Sequence, residues 1–216
     1  MCVNLCDKYR PRTFGEVCGQ DKAVKALVRL RDNGGLAGRA YWITGPSGVG
    51  KSTLARIIAS EVADRFFIAE LAAPTLTPAR VLELEADSTY FGWGLHSGRA
   101  YIVNECHKLR RDTVATLLDV LERIPEHVVW LFTTTWDGQE LLFEGSDDAF
   151  PLVSRCVAVK LTNQGLAKAG GAYVKAIAER EGLDGQDVSA YERLFKDNKN
   201  SFRAVLERIQ GGAMRE

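Results

Sequence analysis

The sequence has 216 residues, of which 46% are hydrophobic and 26% are charged, a balance typical of a globular protein and not of a disordered or fibrous chain. Its 28 Lys and Arg residues equal its 28 Asp and Glu residues, so the net charge gives no sign of a nucleic-acid partner, and any such contact would need a local basic patch. No apolar signal region opens the sequence and no run of about 18 apolar residues occurs, so we expect a cytoplasmic protein with no membrane partner.

Apolar residues recur in two patterns along the chain. Short apolar runs predict strands at 40–44, 66–70, 100–103, 128–132 and 156–161. Helical spacing before and between these runs predicts helices at 20–32, 51–63, 77–85 and 112–124. This alternation favours a mainly parallel sheet covered by helices on both faces. Helical segments follow at 164–180, 188–196 and 201–210, so we expect an α/β core at 1–163 and a small helical domain at 164–216.

A glycine-rich loop follows the first predicted strand. Residues 45–53 read GPSGVGKST and match the phosphate-binding pattern G-x-x-x-x-G-K-[ST], between a strand and a helix as that pattern requires. The glycines let backbone N–H groups turn towards phosphate oxygens, and the helix presents its positive end to them. Lys51 is predicted to reach the β- and γ-phosphates, and Ser52 to offer its hydroxyl to Mg²⁺. The predicted nucleotide-binding loop comprises Gly45, Pro46, Ser47, Gly48, Val49, Gly50, Lys51, Ser52 and Thr53.

The strand predicted at 100–103 runs into Asn104 and Glu105, in the segment AYIVNECH. P-loop enzymes place an acid that orients Mg²⁺ at the end of such a strand, and a following acid can activate water. An amide at position 104 keeps one oxygen for a water bound to Mg²⁺ but removes a full negative charge, a change that typically costs about 10–100-fold in metal affinity or activity. The sequence therefore predicts a Mg²⁺ site at Ser52 and Asn104, and a slow ATPase.

Several segments together resemble AAA+ ATPases of the clamp-loader type, the replication factor C small subunits and the ATPase subunit of the bacterial clamp loader. These segments are KYRPRTFGEVCGQ from residue 8, the phosphate loop, AYIVNECH, LFTTTW from residue 131 and PLVSRC from residue 151. The combination of YRP…GQ with S-R-C is more specific than the phosphate loop alone, and the resemblance covers nearly the whole chain. It implies a P-loop AAA+ core with a five-stranded, mainly parallel sheet, followed by an α-helical lid.

The resemblance also implies roles for individual residues. Glu105 would polarise the attacking water, and Thr134, at a strand end, would help to place it. Arg155 would enter the site of a neighbouring subunit as an arginine finger, and Arg203 would reach the γ-phosphate from the lid. The adenine site would be formed by Tyr9, Arg10, Pro11, Val17 and Gly19.

Alternatives remain for several residues. Any of the three consecutive threonines at 133–135 could take the role given to Thr134. Arg155 could be an ordinary surface arginine, and Arg208 competes with Arg203 for the lid position. The basic residues Lys108, Arg110 and Arg111 could contact the backbone of DNA or form a solvated helix start.

The function implied by the resemblance is the loading of a sliding clamp onto primer-template DNA by a subunit of a homo- or hetero-oligomer, with ATP and Mg²⁺ as cofactors. Clamp-loader ATPases continue into a helical collar, which is not found after the lid here, so we expect association through the ATPase and lid surfaces, another chain or a further segment. The five scattered cysteines form no CxxC pair, so we expect no zinc module. A branch-migration or remodelling motor and a nucleotide-binding scaffold that does not hydrolyse ATP remain alternatives.

Overall fold

The computed structural model describes residues 4–135 and 150–215. Its centre is a parallel sheet of five strands in the order β2-β3-β4-β1-β5. The strands are β1 (Arg39–Thr44), β2 (Ile68–Ala72), β3 (Arg99–Asn104), β4 (Val128–Thr134) and β5 (Cys156–Lys160). The predicted five-stranded parallel sheet is thus confirmed. Strand β2 lies two residues later than predicted, because Arg65–Phe67 forms a 3₁₀ turn and the apolar side chain of Phe66 is 83% exposed.

Helices connect the strands and continue after the last one. The first group is α1 (Leu5–Lys8), α2 (Asp21–Asp32), α3 (Lys51–Val62), α4 (Pro78–Asp87) and α5 (Arg111–Leu121). The second group is α6 (Phe150–Ser154), α7 (Leu166–Arg180), α8 (Val188–Asp197) and α9 (Phe202–Gln210). The sequence pattern did not predict α1 and α6, because four or five residues are too few to show a helical period.

Two hydrophobic clusters cover the two faces of the sheet. Alternate residues of one strand enter different clusters: Ile43 packs with α3 on one face, and Trp42 packs with the α4–α5 side on the other. The central strands are therefore buried along almost their whole length, as expected for a parallel sheet with helices on both faces. Because both faces of the sheet are covered, polar side chains lie at the carboxyl ends of β1, β3 and β4.

The C-terminal helices α7, α8 and α9 pack around a third cluster that includes Val174, Tyr191, Phe195 and Ile209. Leu5 of α1 joins this cluster, and its backbone N–H donates to Gln210 Oε1 at 3.1 Å. The helices predicted after residue 164 are therefore present, while the division into two domains at that point stays a prediction. In the part of the chain that the structure describes, no helix is long and apolar enough to cross a membrane.

Candidate functional site

The glycine-rich loop joins the carboxyl end of β1 to the first residue of α3, Lys51. Gly45 and Gly48 have φ values of +152° and +79°, where a side chain is strained. A Cβ atom on Gly45 would lie 2.7 Å from the carbonyl oxygen of Leu161, and one on Gly48 would lie 2.0 Å from the Oγ of Ser201. The loop therefore needs glycine at both positions, because it is enclosed by the end of β5 and the start of α9.

Lys51 extends back over this loop. Its Nζ donates to the carbonyl oxygens of Gly45 and Pro46, both at 2.8 Å. Burial, and after it the nearby positive charge of Arg203, lowers the pKa of Lys51 to about 8. Lys51 and Arg203 both line the cavity, so two positively charged side chains are available there for a polyanion such as a triphosphate.

The predicted Mg²⁺ residues lie side by side beneath the loop. The Ser52 hydroxyl donates to Asn104 Oδ1 at 3.1 Å, and the Thr133 hydroxyl donates to the same oxygen at 2.9 Å. Asn104 Nδ2 donates to Glu70 Oε1 at 2.7 Å. Among the described residues, no group of three or more His, Cys, Asp or Glu side chains could enclose a metal by itself. The side-chain oxygens of Ser52 and Asn104 fit Mg²⁺, because this ion keeps several waters and usually takes one or two protein ligands together with substrate phosphates.

Glu105 follows the end of β3 and has a left-handed backbone conformation, with φ +59°. It lines the cavity. Its carboxylate accepts from Lys108 Nζ at 2.5 Å, and this hydrogen bond holds the pKa of Glu105 below its usual value. Thr134 is buried, and its Oγ1 lies 3.2 Å from His107 Nδ1. All three threonines, 133–135, line the cavity, so the position of the side chains does not single out Thr134.

Apolar and aromatic side chains form another part of the cavity wall. The predicted adenine residues Tyr9, Arg10, Pro11 and Val17 line the cavity. Further wall residues that the sequence did not indicate are Cys6, Cys18, Tyr173, Phe202 and Leu206. The helical period predicts that such residues in α7 and α9 are turned inwards, but only tertiary packing shows that they meet α1 at this cavity.

The structure brings most of the predicted site residues together at one cavity. Lining it are Tyr9, Arg10, Pro11, Val17, Ser47, Gly48, Val49, Gly50, Lys51, Ser52, Thr53, Asn104, Glu105, Thr134 and Arg203. Gly19, also predicted for the adenine site, does not line the cavity; its φ is +71°, and a Cβ atom there would be 2.4 Å from Leu166 Cδ1. Gly45 and Pro46 take part through the carbonyl groups that bind Lys51. Trp136 of the LFTTTW segment lies outside the described residues.

Arg155 lies away from this cavity, between α6 and β5. Its Nε donates to Glu122 Oε1 at 3.1 Å, and its Nη1 donates to the carbonyl of Pro151 at 3.1 Å. A position outside the cavity of its own chain is what action on a neighbouring subunit requires. The role of Arg155 stays a prediction.

Comparison with known proteins gives matches over the residues of the cavity and over most of the chain. Residues 41–142 match the family AAA, described as ATPase family associated with various cellular activities. The tau subunit of DNA polymerase III of Escherichia coli K12 is 30% identical over 182 residues, which are 73% of this chain and 26% of that protein. The gamma subunit from Buchnera aphidicola of Acyrthosiphon pisum is 26% identical over 215 residues, 86% of this chain and 55% of that protein.

Among solved structures, the chain is similar to Thermotoga maritima RuvB, described as a Holliday junction branch migration motor. The TM-score is 0.69 at 24% identity, over 94% of this chain and 64% of that one, and this likeness shows the fold alone. The chain spans about a quarter of the length of the tau relatives that it matches.

Proposed function

We propose that this chain is an ATP-hydrolysing subunit of a clamp loader. It carries an AAA domain and is homologous to the tau and gamma subunits of DNA polymerase III. The observation that carries the proposal is the convergence of Lys51, Ser52, Asn104, Glu105 and Arg203 on one cavity whose wall also contains apolar and aromatic side chains. The AAA match and the polymerase relatives make nucleotide binding the expected use of this cavity.

In the proposed binding mode, adenine lies against the apolar and aromatic side chains and the phosphates lie at the start of α3. Lys51 exchanges the carbonyls of Gly45 and Pro46 for phosphate oxygens, which offset the cost of burying its charge. Arg203 adds a second positive charge from α9. The backbone N–H groups at the start of α3 favour an anion in the same place.

Ser52 and Asn104 would hold Mg²⁺, the latter through a bound water. The ion, when present, would neutralise charge on the phosphate oxygens. Glu105 would orient the attacking water and accept its proton, once its ion pair with Lys108 has opened. Both members of that pair are more than half exposed, so opening it requires little energy.

The partners that we propose are further loader subunits, a sliding clamp and primer-template DNA. Arg155 would complete the active site of the neighbouring subunit. Contact with DNA through its phosphates would use the basic residues near the start of α5, where Lys108 is paired with Glu105 and Arg110 with Asp112. These partners, the division into core and lid, and a cytoplasmic location stay predictions.

Two alternative functions are each favoured by one observation. The fold similarity to RuvB favours a DNA-remodelling motor, although it shows only the architecture. The amide at Asn104 favours a subunit that binds ATP without hydrolysing it.

Steady-state ATP turnover separates the three functions. A clamp-loader subunit should be stimulated most by primed DNA and a sliding clamp together, since both are its substrates. A motor should respond to DNA alone. Turnover that stays at background with both ligands, in a chain that binds ATP, would contradict the proposed hydrolysis and support the scaffold function.

A further inference from the structure

Glu70 is a carboxylate beside the proposed Mg²⁺ site that the sequence pattern did not indicate. It belongs to β2, the edge strand next to β3, and Ala72 is the β2 residue in register with Asn104. Glu70 lies two positions before Ala72 and therefore has its side chain on the same face of the sheet. From there its Oε1 accepts the hydrogen bond from Asn104 Nδ2 at 2.7 Å.

The hydrogen bonds of Asn104 determine which way its amide points. Its Oδ1 accepts from Ser52 and Thr133, both of which are hydroxyl donors, so its Nδ2 is directed to Glu70. A single amide group therefore separates the Ser52 hydroxyl, the expected Mg²⁺ ligand, from the carboxylate of Glu70. An aspartate at position 104 would place a second carboxylate against Glu70, whereas the amide accommodates it.

The carboxylate of Glu70 forms an ion pair with Arg56 of α3. Arg56 Nε lies 2.8 Å from Glu70 Oε2, and Arg56 Nη2 lies 3.0 Å from Glu70 Oε1. The two side chains are 42% and 32% exposed, so water weakens their attraction and leaves the carboxylate able to interact with a second cation. At equal distance a divalent ion would attract it more strongly than the single charge of Arg56 does.

We propose that Glu70 supplies the negative charge of the Mg²⁺ site in this chain, acting through a water bound to the ion, while Asn104 holds the Glu70 carboxylate in position. This inference rests on the proposed function, because it requires Mg²⁺ to bind with a nucleotide. The inference explains how an amide at position 104 is compatible with a site that has Lys51, Ser52 and Glu105. The carboxylate that supports the ion lies on the neighbouring strand β2, at Glu70.

The test measures how much Mg²⁺ strengthens nucleotide binding. The dissociation constant of a fluorescent, non-hydrolysable ATP analogue is determined in EDTA and in excess Mg²⁺, and the ratio of the two constants is the contribution of the metal. Glu70→Gln should reduce this ratio by about 10–100-fold, the usual cost of losing a carboxylate that supports a metal site. The constant in EDTA should be unchanged, which also shows that the variant is folded.

Glu83→Gln is the matched control, because Glu83 also forms an ion pair with an arginine, Arg80 at 2.7 Å on α4, but is not the carboxylate to which Asn104 donates. It should leave the ratio at the wild-type value. Arg56→Gln removes the ion pair but keeps the Glu70 carboxylate, so the ratio should stay the same or increase. The double variant Glu70→Gln with Asn104→Asp should regain most of the lost ratio, because the carboxylate returns at the strand end.

The possible failures are distinguishable. If Glu70→Gln has the wild-type ratio, this inference alone is overturned. It is also overturned if Glu70→Gln and Arg56→Gln reduce the ratio equally, since the ion pair of Glu70 and Arg56 would then act only in stabilising the fold. If the wild-type chain binds the analogue equally in EDTA and Mg²⁺, both this inference and the proposed use of Mg²⁺ are wrong.

Discussion

The guanidinium of Arg155 is bound to the carboxylate of Glu122, the residue that follows α5 in the same chain. The pair lies at the surface and outside the proposed nucleotide site, and the carbonyl of Pro151 accepts a further hydrogen bond from Arg155. In a single subunit the proposed arginine finger is therefore held by its own chain. Insertion into a neighbouring subunit would exchange one carboxylate partner for the phosphates of a nucleotide.

Arg155→Ala should bind ATP normally and fail to hydrolyse it, because the finger stabilises charge that develops only during phosphoryl transfer. Mixing this variant with Glu105→Ala should restore part of the turnover, since some interfaces then pair an intact Glu105 with an intact finger. Turnover of the separate and mixed variants at equal total protein concentration provides the measurement. A mixture as inactive as its two components would show that Arg155 does not act across an interface.

Glu122→Gln should release Arg155 and favour productive assembly. An exposed ion pair of this kind contributes about 0–1 kcal/mol, so the protein concentration at half-maximal turnover per chain should fall by up to about fivefold. Glu83→Gln, which removes the carboxylate of another exposed ion pair, is the control. An increase in the concentration required would mean that Glu122 helps to form the interface instead of holding the finger back.

Lys51→Ala should abolish binding of ATP, and the wild-type affinity should depend on pH. The pKa of Lys51 is lowered to about 8 in the free chain, whereas phosphates bind the protonated amine. Affinity should therefore be constant below pH 8 and fall by up to about tenfold per pH unit above it. Titration of a fluorescent ATP analogue between pH 7.5 and 9.5 measures this.

Two variants control the Lys51 experiment. Lys25→Ala removes an exposed lysine of α2 and should bind as the wild type does. Lys51→Arg keeps a charge that does not titrate in this range, so any residual binding should be independent of pH. A flat profile for the wild type would contradict the proposed contact between Lys51 and the phosphates.

Asn104→Asp should raise turnover and lower the Mg²⁺ concentration at half-maximal rate, but by less than tenfold, because Glu70 already supplies one negative charge. In the Glu70→Gln background the same substitution should give the larger gain of about ten- to a hundredfold. ATP turnover titrated with Mg²⁺ in the four combinations gives the coupling between the two positions. Equal gains in both backgrounds would show that the two side chains act independently.

The same substitution has a consequence for stability. In EDTA it replaces the hydrogen bond from Asn104 to Glu70 by a repulsion between two carboxylates, at a cost on the order of 1–4 kcal/mol. The melting temperature should therefore fall in EDTA and recover with Mg²⁺ and the ATP analogue. A melting temperature in EDTA that equals the wild-type value would mean that the new side chain turns away from Glu70.

Local patterns predicted the parts of the site that lie within one segment. The phosphate loop and the polar ends of β3 and β4 could be read from the sequence, because each is a short run with its own physical constraint. The contact between Glu70 and Asn104 could not, because it depends on the register of two strands that are 34 residues apart at these positions. The meeting of Tyr9 and Tyr173 at the cavity depends in the same way on the packing of α1 against the C-terminal helices.

The phosphate loop and α9 share a hydrogen bond, from the N–H of Phe202 to the carbonyl of Gly48 at 3.1 Å. A nucleotide in the cavity would touch residues near the beginning, the middle and the end of the chain at once, and would act as a reversible cross-link between segments more than 150 residues apart in sequence. Because the nucleotide would bind the folded chain and not the unfolded one, its binding free energy would add to the free energy of unfolding. Occupancy of the cavity would then set the resistance of the whole chain to unfolding and proteolysis, and each round of hydrolysis and release would briefly undo that cross-link.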